Sequence, residues 1–340
     1  MEEGRIWHGG DLGEARRLFP HAPAPWIDLS TGINPIAYPL PALPASAFTR
    51  LPEPADHAAL EATAARAYGV ADPARVVAAP GTQALISLLP FVLLPFLAPA
   101  QDVAIVAPTY GEHARAWAAA GARVRTVAAP EESEGCDVLV LVNPNNPDGR
   151  TWTGAALRAV AADLAGREGL LVVDEAFADL EPVESLAVDV PPNAIVLRSF
   201  GKTWGLAGLR LGFAVARGPL SERLRAALGP WSVAGPALAI GRAALDDAAW
   251  LAEARRARAA DAARLDALLA PLADGPVRGT RLFRTIECDG APEIFRLLGE
   301  AGIWVRRFRD DPRRLRLGLP ADAQAWARLS TALGAAPGRV

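Results

Sequence analysis

The stretch SFGKTWGLAGLRLGF, residues 199–213, contains the only lysine of the chain, Lys202. Lysine and arginine together number 35, so the other 34 residues of this kind are arginines. Arginine replaces lysine in most solvated ion pairs, but its guanidinium stays protonated and cannot attack a carbonyl carbon as a free amine can. Lys202 is therefore a candidate Schiff-base nucleophile. The same count is also compatible with a surface lysine that an arginine-rich composition has retained.

Strand-like and helical segments alternate on both sides of this stretch. The segments that predict strands are RVVAA (75–79), VAIVAP (103–108), RVRTVAA (123–129), CDVLVLVNP (136–144), LLVVDEA (170–176), AIVLRSF (194–200) and LRLGFAVA (209–216). Helical patterns occupy 59–70, 111–121 and 153–169. Near-continuous apolar strands that alternate with helices predict an α/β fold with a mostly parallel sheet covered on both faces. Beyond Pro219 a long Ala/Arg-rich helical region, about 236–273, and shorter elements predict a smaller α+β lobe.

The composition limits the class of protein. Hydrophobic residues make up 51% and charged residues 21%, which is typical of a globular protein. A chain of 340 residues exceeds the usual size of one core, so we expect two lobes. The net charge of −3, with both signs interspersed, gives no electrostatic reason to expect nucleic-acid binding. Two cysteines, Cys136 and Cys288, are too few for a disulfide framework or a cysteine-based zinc site, and they predict a cytoplasmic protein without a metal.

Residues 84–100 are apolar apart from Ser87 and resemble a membrane span. The segment is short for a bilayer crossing and contains Pro90, Pro95 and Pro99. We therefore expect a buried helix broken by its prolines, and no contact with a membrane. The N-terminus has no basic region followed by an apolar run, so we expect no signal peptide.

Candidate binding residues follow the predicted strands. In an α/β sheet, ligands bind at the carboxyl ends of the strands. Gly81, Thr82 and Gln83 lie between a strand and a helix, where free N–H groups and a hydroxyl favour a phosphate, although a simple helix cap has the same pattern. The asparagines of NPNNPDGR (143–150) are either ligand donors or turn residues.

Charged residues complete the set. Asp174 ends an apolar strand, and a buried carboxylate there needs a cation or a group to cap. Ser199, Lys202 and Arg210 follow on the next strand-turn-strand segment. A phosphate loop, a buried Asp, an amine and an Arg suit pyridoxal 5′-phosphate (PLP), whose ring nitrogen, aldehyde carbon and phosphate need those partners.

The order PGTQA, PTYG, NPNNPDG, DEAF, SFGK and GLAGLRLG resembles the fold-type I PLP enzymes of the class I/II aminotransferase superfamily over nearly the whole chain. This resemblance implies a large domain over residues 45–230, with a mixed, mostly parallel seven-stranded sheet. Both termini, residues 1–44 and 231–340, would form a small α+β domain. It also implies roles for single residues. Lys202 would be the Schiff-base lysine, Asp174 the partner of the ring nitrogen, Asn146 a donor to the phenolic oxygen and Tyr110 a residue stacked on the ring. Gly81, Thr82, Gln83, Ser199 and Arg210 would hold the phosphate.

Three positions depart from that pattern. Phe177 stands where many relatives have a tyrosine that contacts the phenolic oxygen, so we expect that contact to be absent. Gly201 replaces a frequent Ser or Thr and removes one phosphate ligand. Leu51, in RLPEP (50–54), replaces a tyrosine that reaches the cofactor phosphate of the neighbouring subunit.

Within the superfamily the chain resembles the L-threonine-O-3-phosphate decarboxylases of cobalamin biosynthesis, and next the histidinol-phosphate aminotransferases. The segments that carry this resemblance are HGG (8–10), IDLSTGINP (27–35), PNNPDGR (144–150), PWSVAGPALA (230–239) and LRLGLP (315–320). It implies a homodimer that acts on a small phosphorylated amino acid held by His8, Asn34, Arg306 and Arg316. Planar Arg forks suit a substrate with both a carboxylate and a phosphate.

The residues alone leave the reaction open. Decarboxylation and amino transfer use the same Lys and Asp, and they differ in which bond at Cα is aligned for cleavage. An aminotransferase of histidinol phosphate or another amino acid is therefore the alternative, and a PLP-binding protein without turnover is a second one. Of the six arginines between positions 306 and 316, most are expected to be solvated.

Overall fold

The computed structural model describes residues 9–93 and 102–335. His8, one of the predicted substrate residues, and positions 94–100 of the apolar segment lie outside the described residues. The described chain forms two compact units. The large unit comprises residues 38–146 and 150–252, and the small unit comprises the described residues of 1–37, 147–149 and 253–340.

The α-helices are α1 (Leu12–Leu18), α2 (Ser46–Thr49), α3 (Pro54–Tyr68), α4 (Thr82–Leu93), α5 (Glu112–Ala119), α6 (Gly154–Ala165), α7 (Phe200–Thr203), α8 (Pro219–Leu228), α9 (Gly235–Asp246), α10 (Ala248–Leu269), α11 (Ala291–Glu300) and α12 (Ala323–Gly334). The strands are β1 (Ile27–Asp28), β2 (Val76–Ala79), β3 (Asp102–Val106), β4 (Arg123–Val127), β5 (Val138–Val142), β6 (Leu170–Asp174), β7 (Ala194–Ser199), β8 (Gly212–Ala216), β9 (Arg278–Thr280), β10 (Phe283–Glu287), β11 (Ile303–Trp304), β12 (Arg306–Arg307) and β13 (Arg314–Gly318). Short 3₁₀ turns occupy Pro73–Arg75, Pro130–Glu132, Ala178–Leu180, Ala207–Leu209 and Ala270–Leu272.

The large unit is built on a seven-stranded sheet in the order β2-β8-β7-β6-β5-β3-β4. The pairs β3/β4, β3/β5, β5/β6 and β6/β7 are parallel. Strand β8 is antiparallel to both of its neighbours, β2 and β7. The predicted α/β fold with a mixed, mostly parallel seven-stranded sheet is confirmed.

Burial on both faces explains why the central strands are apolar over most of their length. Successive side chains of a strand point to opposite faces. Along β5, Leu139 and Leu141 join one apolar cluster, whereas Val138 and Val140 join the cluster on the other face. The same alternation holds in the other central strands, and their buried polar residues, Asp174 in β6 and Arg198 and Ser199 in β7, lie in the last two positions of a strand.

Pro90 does not break helix α4, contrary to the expectation from the sequence, and Pro95 and Pro99 lie outside the described residues. Pro90 lies inside the helix and is buried, and the helix continues to Leu93. A proline in a helix removes one backbone hydrogen bond and costs stability. Leu85, Leu89 and Val92 are buried in the same cluster as the sheet residues, and this burial outweighs the loss. Among the helices of residues 9–93 and 102–335, none has both the length and the apolar character needed to cross a bilayer.

The boundary between the units differs from the predicted one. Residues 38–44 and 231–252, which the sequence analysis gave to the small domain, belong to the large unit, and 147–149 belong to the small unit. The expected helix 236–273 is two helices: Asp247 ends α9, and its carboxylate caps α10 at the Trp250 N–H, 2.9 Å away. The boundary between the units falls inside α10, between residues 252 and 253. Helix α9 packs on α3, where Gly241 lies against Leu60.

The small unit contains the antiparallel sheet β12-β13-β10-β9 and the parallel pair β1/β11. Helices α11 and α12 cover an apolar cluster that includes Phe295, Trp304 and Trp326. The three residues 147–149 are anchored here, because the Thr285 hydroxyl donates to the Pro147 carbonyl at 2.6 Å. Gly149 has a φ of +72° and lies against the backbone of Gly279.

We expect Gly149→Ala to destabilise the small unit. A side chain at a positive φ costs about 1–2 kcal/mol, and the added Cβ would overlap the Gly279 carbonyl, adding about 1–3 kcal/mol. The control is Gly121→Ala, which has a φ of +93° but no atom within 4 Å of the added Cβ. Urea unfolding measures both. An equal loss of free energy in the two variants would contradict the proposed backbone contact.

Candidate active site

The predicted cofactor residues lie together at one edge of the large sheet. Strands β3, β5, β6 and β7 are parallel, so their carboxyl ends meet at this edge. Strand β2 runs in the same direction, since β8 is antiparallel to both β2 and β7. The segments that follow these strands therefore place their side chains at one common edge of the sheet. Its predicted members are Gly81, Thr82, Gln83, Tyr110, Asn146, Asp174, Ser199, Lys202 and Arg210.

Asp174, the last residue of β6, is 3% exposed. The His113 ring, also buried, places its Nε2 3.1 Å from Asp174 Oδ2, and the Ala176 N–H donates to Oδ1 at 3.0 Å. Burial alone would raise the pKa of Asp174, but the His113 contact, the charge of Lys202 and the Ala176 N–H outweigh it and lower the pKa. The carboxylate is therefore kept ionised in an apolar environment.

A chain of polar contacts continues from this pair along the edge. The rings of Tyr110 and His113 meet edge to face with centroids 6.2 Å apart. The Tyr110 hydroxyl donates to Gln83 Oε1 at 2.9 Å, which connects the β3–α5 segment with the first turn of α4. Tyr110 is half-buried, so part of its ring is open to a ligand. Its stacking on a cofactor ring remains a prediction.

Gly81 and Arg210 approach each other closely. Gly81 has a φ of +87°, and a Cβ on it would lie 2.9 Å from Arg210 Nη2. Arg210 itself takes the left-handed conformation, with φ at 53°, and its Nη1 donates to the Ala207 carbonyl at 3.0 Å. Helix α4 begins at Thr82, where the first N–H groups have no partners within the helix. A guanidinium beside a helix N-terminus favours an anionic group such as a phosphate.

The asparagines after β5 divide into two roles. The side chain of Asn143 exchanges hydrogen bonds with the backbone of Trp152, at 3.0 and 3.1 Å. Asn145 donates to the Pro108 carbonyl at 2.9 Å and accepts from the Thr109 hydroxyl at 2.7 Å. These two side chains shape the turn. Asn146 is buried at the same strand end, and its role as a ligand donor stays a prediction.

Lys202 is half-buried on the short helix α7, directly after β7. Its Nζ lies 4.9 Å from the centroid of the Phe177 ring. Phe177 therefore presents a ring face to the amine where a tyrosine would carry a hydroxyl. Gly201 has a steric reason, since a Cβ there would lie 2.7 Å from the Cα of Ala207. A Ser or Thr at this position does not fit the backbone path of this chain.

In the small unit, Arg306 and Arg316 are directly opposite each other on β12 and β13. Arg316 is 3% exposed, donates to the Ser30 carbonyl at 2.9 Å and lies over the Phe283 ring at 4.9 Å. Like charges that face each other across strands destabilise a sheet, so the pair favours an anion. Of the neighbouring arginines, Arg307, Arg313 and Arg314 form ion pairs with carboxylates.

Asn34, the other predicted substrate residue in the described chain, is buried in the small unit. Its Oδ1 accepts from Arg258 Nη1 at 2.9 Å and from the Ile36 N–H at 3.1 Å. Arg258 also pairs with Asp261 at 2.6 Å. The amide oxygen of Asn34 thus fixes the GINP turn, and its contact with a substrate stays a prediction.

Sequence reasoning missed His113. It belongs to the segment PTYGEHARAW (108–117), in which only Tyr110 was singled out. The available signal was proximity in sequence: His113 lies in the first turn of α5, directly after the segment of Tyr110, and its N–H donates to the Tyr110 carbonyl at 3.2 Å. The described residues contain no group of three His, Cys, Asp or Glu side chains arranged to hold a metal ion.

The fold and this edge of charged residues define a class. The chain belongs to the aminotransferase class I and II family, whose model matches residues 26–332. It is similar to the threonine-phosphate decarboxylase of Pseudomonas aeruginosa, with 44% identity over 96% of both chains. It is also 44% identical to a threonine-phosphate decarboxylase of a Sinorhizobium species, over 96% of this chain and 97% of the relative.

A solved structure supports the fold. The histidinol-phosphate aminotransferase of Sinorhizobium meliloti, in complex with pyridoxal-5′-phosphate, matches with a TM-score of 0.79 and 22% identity, covering 97% of this chain and 95% of the other. The family resemblance predicted from the sequence is confirmed.

We expect His113→Phe to destabilise the chain in a pH-dependent way. The folded-state pKa of Asp174 lies below its ordinary value of 3.8, so its carboxylate stabilises the fold above that pH, and this contribution is lost as the pH falls through the lowered pKa. Without His113 the buried carboxylate lacks its main partner, its pKa rises, and about 1–3 kcal/mol is lost at pH 7.

Urea unfolding at pH 7 and at pH 4.5 measures this effect. The loss caused by His113→Phe should be smaller at pH 4.5, where protonation relieves the unpaired charge. The double variant His113→Phe/Asp174→Asn is the control, and it should recover part of the loss at pH 7. If the loss is the same at both pH values, the interaction does not hold a charge.

Proposed function

We propose that this chain is a PLP-dependent decarboxylase that converts L-threonine O-3-phosphate into (R)-1-amino-2-propanol O-2-phosphate, a step of cobalamin biosynthesis. Identity of 44% over nearly full length to two threonine-phosphate decarboxylases supports the substrate and the reaction. The structural observation that carries the proposal is the placement of the single lysine and of the ionised, buried Asp174 at the same edge of the sheet, where the charge of Lys202 lowers the pKa of Asp174.

The residues of the large unit fit PLP. A carboxylate kept ionised by His113 suits a protonated pyridine nitrogen. Gly81 lets the Arg210 guanidinium approach the start of α4, and a cation beside a helix N-terminus suits the phosphate. When bound, PLP withdraws the electrons of the bond that breaks at the substrate Cα. Lys202 would hold the group covalently, with Tyr110 and Asn146 as further contacts.

The chain's own residues have distinct tasks in decarboxylation. Asp174 would keep a proton on the ring nitrogen, which makes the group a better electron acceptor. The Lys202 amine would yield its place to the substrate amine and then supply a proton to Cα after CO2 has left. One C–C bond breaks, one C–H bond forms, and no oxidant or second substrate is needed. Amino transfer would instead require Lys202 to remove the Cα proton.

Substrate recognition is assigned to the small unit. Arg306 and Arg316 face each other across two strands, and a dianionic phosphate or a carboxylate would offset their repulsion. The resemblance adds Asn34 and His8 to this set. Arg307, Arg313 and Arg314 form ion pairs with carboxylates. The resemblance and the opposed positions of Arg306 and Arg316 support the choice of this pair.

The proposal includes a homodimer in the cytoplasm. Five large apolar side chains among the described residues of the large unit are exposed by more than half: Leu40, Phe48, Leu51, Phe91 and Trp231. Exposed apolar groups on one unit suit an interface with a second copy. Leu51 has no hydroxyl with which to reach a partner's phosphate, so its contribution would be apolar. Cys136 and Cys288 are free and buried, which suits a reducing compartment.

The decisive assay supplies PLP-loaded protein with L-threonine O-3-phosphate and no keto acid. We expect CO2 and amino-propanol phosphate in equal amounts, and we expect Lys202→Ala to reduce the rate by at least about 10³-fold, since removal of an essential nucleophile costs this much or more. If CO2 is absent and the amino group is transferred from histidinol phosphate to 2-oxoglutarate, the chain is an aminotransferase and the proposal is wrong.

Arg306→Gln should raise KM for the phosphorylated substrate by about tenfold or more, since a lost charge-assisted hydrogen bond is worth about 1.5–3 kcal/mol. The matched control is Arg313→Gln, which removes a guanidinium paired with Asp274 and Asp289 at the surface of the same unit. Steady-state kinetics separate the two. Equal KM values for both variants would remove Arg306 from the substrate site.

A further inference from the structure

A buried polar network lies behind the candidate active-site residues of the large unit. Arg198 Nη1 donates to Glu175 Oε2 at 2.7 Å, and its Nη2 donates to Asp179 Oδ1. The Thr203 hydroxyl donates to Asp179 Oδ2 at 3.0 Å. Ser185 donates to Glu175, and the Leu186 N–H donates to Glu175 Oε1 at 2.8 Å. Arg198, Glu175, Asp179 and Thr203 are each at most 6% exposed.

Three members of this network are sequence neighbours of site residues. Glu175 follows Asp174, Arg198 precedes Ser199, and Thr203 follows Lys202. Arg198 and Ser199 are adjacent in β7, and adjacent residues of a strand point to opposite sides. The network therefore connects the backbones that carry the carboxylate, the hydroxyl and the amine, without using any of the three side chains.

The charges make the arrangement specific. One guanidinium is buried with two carboxylates, and the Arg198 guanidinium also lies 4.5 Å from the centre of the Tyr68 ring. A buried charge without a partner is strongly unfavourable, so few alternative positions of these groups are accessible. A network of this kind holds its elements in one relative position.

The helix that carries Lys202 needs such an anchor. Helix α7 has four residues, Phe200–Thr203, and a single turn is not stable on its own. Its first residue stacks on Trp204, with ring centroids 5.6 Å apart, and its last residue is tied to Asp179. The position of the Lys202 amine along this turn therefore depends on the Thr203 hydroxyl.

We propose that Thr203, Asp179, Arg198 and Glu175 form a positioning network that fixes Lys202 relative to Asp174 and Ser199, and that Thr203 is the contact through which it acts on the lysine. This inference rests on the proposed role of Lys202 as the residue that binds PLP. Thr203 does not itself react. Its hydroxyl fixes the orientation in which the Lys202 amine approaches the aldehyde of PLP.

The single lysine makes the effect measurable without any turnover. In cofactor-free protein, the rate at which Lys202 captures PLP, followed by the visible absorbance, depends on the orientation of the amine. The rate at which trinitrobenzenesulfonate labels the same lysine, followed by mass spectrometry of the peptide, reports only the exposure and protonation of the amine. The ratio of the PLP-capture rate to the labelling rate therefore reports the orientation of the Lys202 amine alone.

We expect Thr203→Val to lower the ratio by about tenfold, since a displacement of about 1 Å can cost as much as 10²-fold in rate. Thr203→Ser keeps the hydroxyl and should stay within about twofold of the unchanged chain, since the Asp179 contact is retained. The control is Thr63→Val, which removes a buried hydroxyl from α3 that accepts from Arg66.

The outcomes are distinct. If Thr203→Val lowers the melting temperature but leaves the ratio as it is, Thr203 is only a structural residue and the inference is wrong. If Thr203→Val does not fold, Asp179→Asn, which keeps the shape and an oxygen acceptor, must lower the ratio instead. If the unchanged protein captures no PLP at Lys202, the proposed function fails first.

Discussion

The Asp174 carboxylate lies at the end of a fully buried strand and is kept ionised by the His113 ring, the Ala176 N–H and the charge of Lys202. The rest of the large unit is arranged around this charge. His113 must come from the segment after β3, and Lys202 must come from the turn after β7, so both strands have to run parallel to β6. A mostly parallel sheet is the topology that brings all these ends to one edge.

The close packing of side chains against the backbone is the second constraint at this edge of the sheet. Gly81 and Arg210 both adopt left-handed conformations, and the absence of a side chain on Gly81 lets the guanidinium reach the start of α4. Gly201 is fixed by the Cα of Ala207 rather than by a ligand. A hydroxyl at position 201 would therefore require a different backbone path. Because Gly201 has no hydroxyl, this hydrogen-bond donor is absent and the turn stays compact. Arg210 and the N-terminus of α4 therefore have to provide the anion site.

The sheet, its strands and the polar residues at their ends could be predicted from the sequence. The reason is that the apolar segments of a sheet buried on both faces end at the edge where ligands bind. The sequence did not reveal the boundary after residue 252, because this boundary falls inside the continuous helix α10. It also did not reveal the break between α9 and α10, because both helices are Ala-rich and the Asp247 cap marks the break. The effect of Pro90 on the helix was predicted wrongly, because helix propensity depends on the local sequence, whereas burial of the helix against the sheet depends on residues distant in sequence. His113 and Arg198 were missed since their partners, Asp174 and Asp179, are distant in sequence.

The choice of reaction does not follow from the large unit. Decarboxylation and amino transfer need the same amine, the same carboxylate and the same anion site, so these groups cannot discriminate between breaking a C–C and a C–H bond at Cα. Discrimination has to come from residues that hold the carboxylate and the phosphate of the substrate. The small unit provides two facing arginines whose mutual repulsion an anion would relieve. Arg316 is held by the Ser30 carbonyl and the Phe283 ring, and the Arg306 guanidinium lies over the Phe308 ring, 5.1 Å from its centroid. Two oriented cations on adjacent strands suit a substrate that carries two anionic groups.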